Sequence, residues 1–168
     1  MGFMVEDRHL RRAFLDAMAA DERITHLAKE TVVAQAADQV GATVTLASGK
    51  RVTGTLLIGS DGRKSGTAER AGIKRTGWGY GQTAVVCAVA HEKPHGGIAH
   101  QFFMPAGPLA ILPLTEDRSS IVWSETDARA TELSAMDEAD FLDALRPAFG
   151  SFLGQISLTG ARCTYPLG

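Results

Sequence analysis

The sequence predicts an α+β fold with a mixed, largely antiparallel sheet and helices packed on it. Two observations support this prediction. Four runs of strand length follow one another between residues 84 and 124 with only short turns between them, and the segments 6–20 and 137–149 carry apolar residues at helical spacing. With 168 residues, 45% of them hydrophobic and 21% charged, the chain has enough apolar material for one sizeable core.

The first half predicts a helix followed by a meander of short strands. Residues 6–20 place Leu10, Phe14 and Met18 on one helical face and charged side chains on the other. From residue 31 the pattern changes to β-like runs. These runs cover residues 31–37, 42–46 and 51–53, with a turn at 48–50.

Residues 56–65 break abruptly from an apolar run into Asp61-Gly62 and a polar segment. The run 56–59 predicts a strand buried on both faces, followed by a ligand-facing turn and a short helix at 65–71. Glycine lets a backbone approach a phosphate or ribose closely, and a neighbouring carboxylate can accept hydrogen bonds from sugar hydroxyls. A plain turn after a strand is the alternative, because Asp-Gly is a common turn dipeptide.

The second half predicts an antiparallel sheet with one helix. Strand-length runs occupy residues 84–90, 98–104, 109–114 and 120–124. A helix at 137–149 is expected to stop at Gly150, and residues 155–165 predict a last strand. The natural division lies near residue 76 and gives domains 1–76 and 77–168, which we expect to pack as one compact unit.

Composition and charge argue against several classes of function. A net charge of −2 and a pI near 6.2 disfavour a nucleic-acid partner. Cys87 and Cys163 fit buried apolar positions better than a disulfide framework, which predicts a reducing, cytoplasmic setting. No apolar run reaches the roughly 18 residues that a membrane-spanning helix needs, so contact with a membrane would be peripheral.

The sequence contains incomplete forms of two patterns, a histidine metal site and a serine hydrolase motif. His91, His95 and His100 are spaced loosely enough for a metal set, but no cysteine or carboxylate pair shares a helix face with them. Ser60 and Ser65 form no Gly-x-Ser-x-Gly elbow with the histidines, which leaves little support for a hydrolase. The sequence therefore predicts no metal site and no catalytic triad.

A series of short motifs runs along the whole chain in a characteristic order. They are Met4-Val5-Glu6-Asp7-Arg8, Asp61-Gly62 with Ala71-Gly72-Ile73, Tyr80-Gly81-Gln82-Thr83-Ala84, His100-Gln101-Phe102-Phe103, the run 107–114, Val122-Trp123-Ser124 and Tyr165-Pro166-Leu167. Together they resemble the FAD-dependent aromatic hydroxylases of the para-hydroxybenzoate hydroxylase type. The resemblance is closest to the 2-polyprenyl-6-methoxyphenol hydroxylases of ubiquinone biosynthesis.

The resemblance implies a monooxygenase that uses FAD, NAD(P)H and O2 to hydroxylate a polyprenyl-phenol ring. Residues 1–76 would form part of the FAD-binding α/β domain, and residues 77–168 would form the substrate-binding sheet. Asp61, Gly62 and Arg8 are the implied cofactor contacts. The implied substrate contacts are Gln101, Phe103, Leu112 and Trp123. No side chain is expected to be catalytic, because in such enzymes the protein mainly orients the substrate and excludes water.

The chain departs from the family pattern at three points. It has neither the Gly-x-Gly-x-x-Gly loop that holds the FAD pyrophosphate nor the later Gly-Asp motif, so we expect a middle portion that is inactive alone. Its expected partners are the missing N- and C-terminal segments of the same protein, and peripheral association with a membrane or a biosynthetic complex is also expected. Ala68 stands where the family has an arginine after the Asp-Gly motif, and Arg70 follows two residues later.

Two other functions remain open on the sequence. The sheet could belong to a non-catalytic module that binds a hydrophobic ligand or a protein partner, which the absence of the glycine-rich loop favours for the isolated chain. The fold is also shared with flavin-dependent reductases of prenyl chains, but the segment 107–114 favours a hydroxylase.

Overall fold

The computed structural model describes residues 2–168, which divide into two compact units. The hairpin unit comprises Arg12–Thr76, and the sheet unit comprises the residues up to Arg11 together with Gly77–Gly168. The chain thus divides after residue 76, and its first residues group with the second half. Assignment of the two halves to cofactor and substrate remains a prediction.

The hairpin unit contains a three-stranded antiparallel sheet and a short helix. Strands β1 (Val32–Ala37), β2 (Ala42–Leu46) and β3 (Arg51–Gly54) lie in the order β1-β2-β3. The Leu46 amide donates to the Lys50 carbonyl at 2.8 Å and closes the turn at 48–50. These strands confirm the predicted meander, and helix α2 (Gly66–Arg70) confirms the predicted helix after Asp61-Gly62.

The segment 56–60 is not a strand in this structure, so the prediction of a strand buried on both faces is wrong here. Leu56 and Ile58 are 76% and 74% exposed. A strand of that kind needs hydrogen-bonded neighbours at both edges and layers on both faces. No strand among residues 2–168 pairs with this segment, so Leu56 and Ile58 remain largely in solvent.

The first helix, α1 (Asp7–Ala20), confirms the helix predicted at 6–20. Its charged face carries two ion pairs one turn apart, Arg11 to Asp7 at 3.1 Å and Arg12 to Asp16 at 2.9 Å. None of its residues is buried, and Phe14 on the apolar face is 60% exposed. The amphipathic pattern therefore predicted the helix but not the burial of its apolar face.

The sheet unit is built around six antiparallel strands. They are β4 (Gln82–His91), β5 (His100–Met104), β6 (Gly107–Pro113), β7 (Arg118–Thr126), β8 (Ile156–Leu158) and β9 (Cys163–Pro166). Their order is β5-β6-β7-β4-β8, and β9 pairs with the other end of β4 on the same side as β8. The mixture of antiparallel sheets and packed helices confirms the predicted α+β class.

Two helices cover one face of this sheet. In α3 (Asp127–Ala135) the Thr126 side chain accepts from the Arg129 amide, and in α4 (Glu138–Phe149) the Asp137 side chain accepts from the Asp140 amide. Helix α4 confirms the predicted helix, whereas α3 went unpredicted. Only Ala130 and Leu133 of α3 are buried, which is too few to produce an apolar stripe in the sequence.

Two expectations for the end of the chain are wrong. The last strand is divided into β8 and β9, because the chain leaves β4 after Leu158 and returns to pair along Thr83–Val86. Cys163 is exposed on β9, whereas Cys87 is buried as expected. Cys163 pairs with Val86 and shares the face of that residue, away from α3 and α4, which leaves its side chain exposed.

The sheet has one face covered by α3 and α4, and neither of these helices packs on the other face. The core lies on the covered face, where Val85, Leu109, Ile111, Ile121 and Trp123 pack against α3 and α4. Side chains alternate along each strand, so the neighbours of these residues point to the opposite side, which we call the open face. The open face carries Gln101, Phe103, Ala110, Leu112, Ser120, Val122, Val86 and Ala88.

Candidate functional site

The Asp61-Gly62 turn is held by side chains of helix α2 and the residue before it. The Ser65 hydroxyl donates to Asp61 Oδ1 at 2.5 Å. The Thr67 amide and hydroxyl both donate to Asp61 Oδ2, at 2.9 and 3.0 Å. The Ser65 hydroxyl oxygen also accepts from the Ala68 amide at 3.0 Å and caps the helix. Asp61 thus fixes the start of α2 to the end of the segment that leads into the turn.

These hydrogen bonds lower the pKa of Asp61 well below its ordinary value of 3.8, chiefly through the Ser65 hydroxyl and then the Thr67 amide. The lowered pKa has a consequence for stability. Stabilisation of the turn is fully present above the ordinary aspartate value and is lost as the pH falls from there toward the lowered pKa. The carboxylate is therefore ionised throughout the neutral range.

We expect Asp61 to remain ionised in acid where other exposed aspartates have taken up a proton. Replacing Ser65 by alanine removes the first cause of the shift and should raise the pKa of Asp61 toward 3.8. The measurement is an NMR titration of the Asp61 carboxyl carbon in the chain and in the Ser65→Ala variant. An Asp61 that titrates at its ordinary value in the unmodified chain would contradict this.

Gln35 joins strand β1 to helix α2, a contact that the sequence did not reveal. Its side-chain amide donates to the Thr67 carbonyl at 3.0 Å, and its carbonyl accepts from Arg70 Nε at 3.1 Å. Arg70, which follows the position occupied by Ala68, is thus held by Gln35. No local sequence pattern indicates this contact, because Gln35 is 32 residues from Thr67 and 35 residues from Arg70.

Gln35→Ala should loosen the Asp61 turn, because it removes both contacts to α2. The expected loss is about 1 kcal/mol, or about a fivefold faster exchange of the Thr67 amide hydrogen. Hydrogen exchange followed by NMR measures this directly. Gln39→Ala, an exposed glutamine on the same hairpin, is the matched control and should leave the Thr67 amide unchanged. Equal effects of the two variants would refute the role of Gln35.

Gly62 and Arg8, the other predicted cofactor contacts, lie in different units. Gly62 has a φ of +79° and no heavy atom within 4 Å of the place where a Cβ would stand, so its backbone is open to a ligand. Arg8, in α1, pairs with Glu6 at 3.0 Å and is 64% exposed. The same Glu6 lies 3.4 Å from Arg118, and the Arg8 hydrogen bond is the largest cause that lowers the pKa of Glu6.

The structure places three of the four predicted substrate residues on the open face and the fourth in the core. Gln101 and Phe103 lie on the edge strand β5, and Phe103 is 84% exposed. Leu112 lies on β6, on the same face. Trp123 faces the other way, is 5% exposed and packs 6.3 Å from the Phe141 ring. Trp123 pairs with Leu109, whose side chain faces the core, so the Trp123 side chain points to the same covered face.

A cavity of about 330 Å³ on the open face adds residues that the sequence did not single out. The segment 4–7 lies along one side, and the other lining residues come from the sheet and the chain that leads into β9. The lining residues used below are Val86, Ala88, Leu114, Ser120, Cys163 and Tyr165. Ser120 pairs with both Ala88 and Leu112, so the cavity adjoins the predicted residue Leu112.

Two of the three histidines with loose metal-site spacing, His91 and His95, have ordinary hydrogen-bond partners. The His91 ring nitrogens lie 2.8 Å from the Lys93 carbonyl and 3.1 Å from the Ser119 hydroxyl. His95 Nε2 lies 2.9 Å from the Glu116 carbonyl. Within residues 2–168 no cluster of three metal-ligating side chains is found. In the same part of the chain, no helix has the length and apolar character needed to cross a membrane.

Known proteins with similar sequences are named as hydroxylases and monooxygenases of ubiquinone biosynthesis. The ubiquinone hydroxylase UbiL of Rhodospirillum rubrum is 42% identical over 167 residues, which is 99% of this chain and 39% of the relative. The human ubiquinone biosynthesis monooxygenase COQ6 is 35% identical over 90% of this chain and 34% of its own length. The 3-demethoxyubiquinol 3-hydroxylase of Escherichia coli is 31% identical over 94% of this chain and 40% of its own length. The chain thus spans about two fifths of these relatives.

Solved structures with the same fold were found among flavin enzymes. The probable FAD-dependent monooxygenase PqsL of Pseudomonas aeruginosa superposes with a TM-score of 0.74 at 20% identity, over 95% of this chain and 46% of PqsL. Klebsiella pneumoniae HpxO, solved with FAD and uric acid, gives a TM-score of 0.64 at 20% identity, over 87% of this chain and 37% of HpxO. At this identity the likeness shows the fold alone. No protein-family model matches the chain.

Proposed function

We propose that this chain, as a homologue of the ubiquinone-biosynthesis hydroxylases, supplies cofactor and substrate contacts of an FAD-dependent monooxygenase. The proposed reaction is the hydroxylation of a polyprenyl-phenol ring. NAD(P)H is the proposed reductant and O2 the source of the new hydroxyl oxygen. The observation that carries the proposal is the open Asp61-Gly62 turn, at which an ionised carboxylate stands beside an accessible backbone.

The residues of the turn fit the ribose and phosphate portion of FAD. A carboxylate that stays ionised at neutral pH accepts hydrogen bonds from ribose hydroxyls, and the uncovered backbone of Gly62 allows a phosphate to approach. Arg63 and Lys64 follow directly, and their positive charges offset the repulsion between Asp61 and an anionic group. The bound flavin would supply the redox chemistry and the activation of oxygen. The part of this chain is to hold that cofactor through Asp61 and Gly62.

The open face of the sheet fits an aromatic ring with an apolar tail. Its cavity of about 330 Å³ is within the range of small-molecule sites and has apolar walls from Val86, Ala88 and Leu114. The hydroxyls of Ser120 and Tyr165 provide polar groups that can orient a phenol. Leu112 and Phe103 continue the apolar surface beyond the cavity. These residues would orient the ring and exclude water from it.

The cofactor contact is tested by titrating the 168-residue chain with FAD and following flavin fluorescence. We expect saturable binding that weakens about tenfold or more in Asp61→Ala, because a hydrogen bond to a charged group contributes about 1.5–3 kcal/mol. Asp38→Ala is the matched control, since Asp38 caps the β1–β2 turn of the same unit by accepting from the Val40 amide. It should bind FAD as the unmodified chain does.

Ser65→Ala separates a direct contact from a structural effect of Asp61. This variant removes a hydrogen bond of the turn but keeps the carboxylate. A direct contact predicts a much smaller loss of FAD affinity in Ser65→Ala than in Asp61→Ala. Equal losses in the two variants, or no saturable binding to the unmodified chain, would overturn the proposed contact.

The substrate face is tested with a prenylated phenol as the probe. Its binding to the chain, measured by calorimetry, should be lost in Ala88→Phe, because the added ring fills the cavity. Ala36→Phe places the same ring on exposed strand β1 and should bind the probe normally. Circular dichroism confirms that both variants fold. Binding that survives in folded Ala88→Phe would place the phenol elsewhere.

A further inference from the structure

A second cavity lies in the hairpin unit, beyond helix α2, and of its lining the proposed function uses only Lys64 and Ser65, on the side of the Asp61 turn. Its volume is about 450 Å³. Lys64 and Ser65 border it on the side of the Asp61 turn, Glu69 lies on the helix, and Lys74 and Arg75 follow on the chain beyond the helix. All three cationic side chains are exposed, so their charged groups can reach a ligand in solution.

The charge around this cavity is opposite in sign to that of the whole chain. Residues 61–76 contain five lysines and arginines against two carboxylates, a formal charge of +3 in a chain whose total is −2. The remainder of the sequence is therefore acidic by comparison. A cationic segment in a weakly acidic protein attracts anions to one place on the surface.

We propose that this basic cavity binds a ligand that carries a phosphate group. Ammonium groups of Lys64 and Lys74 bind phosphate oxygens as point charges, and the Arg75 guanidinium can donate two parallel hydrogen bonds to one phosphate. The exposed Ile73 side chain, which is 62% in solvent, adds an apolar contact for the rest of the ligand. The proposal holds whatever the open face of the sheet binds.

Glu69 gives the proposal a charge-dependent signature. Its carboxylate lines the same cavity and repels an anion, so Glu69→Gln should tighten phosphate binding while Lys74→Gln loosens it. A structural disturbance of α2 would weaken binding in both variants. Opposite effects of two neutralising substitutions therefore report on charge at the cavity.

The test is calorimetric titration of the 168-residue chain with sodium pyrophosphate. We expect saturable binding that weakens about tenfold or more when both Lys74→Gln and Arg75→Gln are present, and that falls as salt is added. Lys50→Gln, an exposed lysine in the β2–β3 turn, is the control and should change affinity by less than about twofold. No saturable binding, or an equal loss in Lys50→Gln, would overturn the proposal.

Two probes distinguish the sources of the phosphate. Vesicles of phosphatidylglycerol, compared with neutral phosphatidylcholine vesicles, test a lipid headgroup, and ADP tests a soluble nucleotide. Displacement of the chain from phosphatidylglycerol vesicles by pyrophosphate would assign the cavity to a lipid. Binding of ADP that depends on Lys74 and Arg75, without vesicle binding, would assign it to a nucleotide.

Discussion

Phe141→Ala is expected to lower the free energy of unfolding of the sheet unit by about 3–5 kcal/mol. Phe141 is 0% exposed, and its ring lies 6.3 Å from that of Trp123 and 4.7 Å from the Arg162 guanidinium carbon. Truncation removes the transfer energy of the ring, leaves a cavity at the contact of α4 with the sheet, and deprives Arg162 of its aromatic partner. Urea denaturation followed by fluorescence measures the loss.

Phe103→Ala provides the matched control, because the same side chain is 84% exposed on the open face. It should change stability by less than about 0.5 kcal/mol. If Phe141→Ala does not fold, Phe141→Leu retains most of the buried volume and should lose about 1–2 kcal/mol. Similar stabilities for Phe141→Ala and Phe103→Ala would show that the described core does not hold the sheet unit together.

Gly107→Ala should destabilise the sheet unit by about 2–5 kcal/mol, through steric overlap and backbone strain together. Gly107 begins β6 with a φ of +154°, where other residues are strained. An added Cβ would stand 2.8 Å from the Ser124 Cβ and 2.9 Å from the Ser124 carbonyl oxygen. That carbonyl belongs to the neighbouring strand β7, so relief requires movement of the sheet backbone.

Gly97→Ala separates the two contributions to this loss. Gly97 also has a positive φ, +72°, but nothing lies within 4 Å of its hypothetical Cβ. This variant should therefore lose only the conformational part, about 1 kcal/mol. The measurement is again urea denaturation. Equal losses at Gly97 and Gly107 would mean that the contact with Ser124 contributes nothing.

Local patterns predicted most of the fold, because most elements carry their own signal. The alternation of β4 and β7 and the apolar stripe of α4 are visible within one window of sequence. The failures depend on neighbours outside such a window. Residues 56–59 have the composition of a buried strand but have no paired strand among residues 2–168, and α3 has too few buried residues to form a stripe.

The candidate site could be predicted only in part, for a related reason. Asp61 and Gly62 are adjacent in sequence, and their residue types alone predict a turn. The partners that hold this turn, above all Gln35, lie far away along the chain and are ordinary polar residues by type. Strand alternation predicts a shared face for Trp123, Gln101 and Leu112, but alternation alone does not determine which of the two faces of each strand the helices cover.

The two cysteines differ in exposure, so a thiol reagent can be directed to the open face. Burial raises the pKa of Cys87 to about 12, whereas Cys163 is exposed and lines the cavity there. Thiol reagents attack the thiolate, so a maleimide dye at neutral pH should label Cys163 and leave Cys87 unmodified. With two cysteines in the whole sequence, no substitution is needed to obtain a singly labelled protein. A molecule that occupies the cavity would shield Cys163, so the rate of labelling with and without that molecule would report its binding.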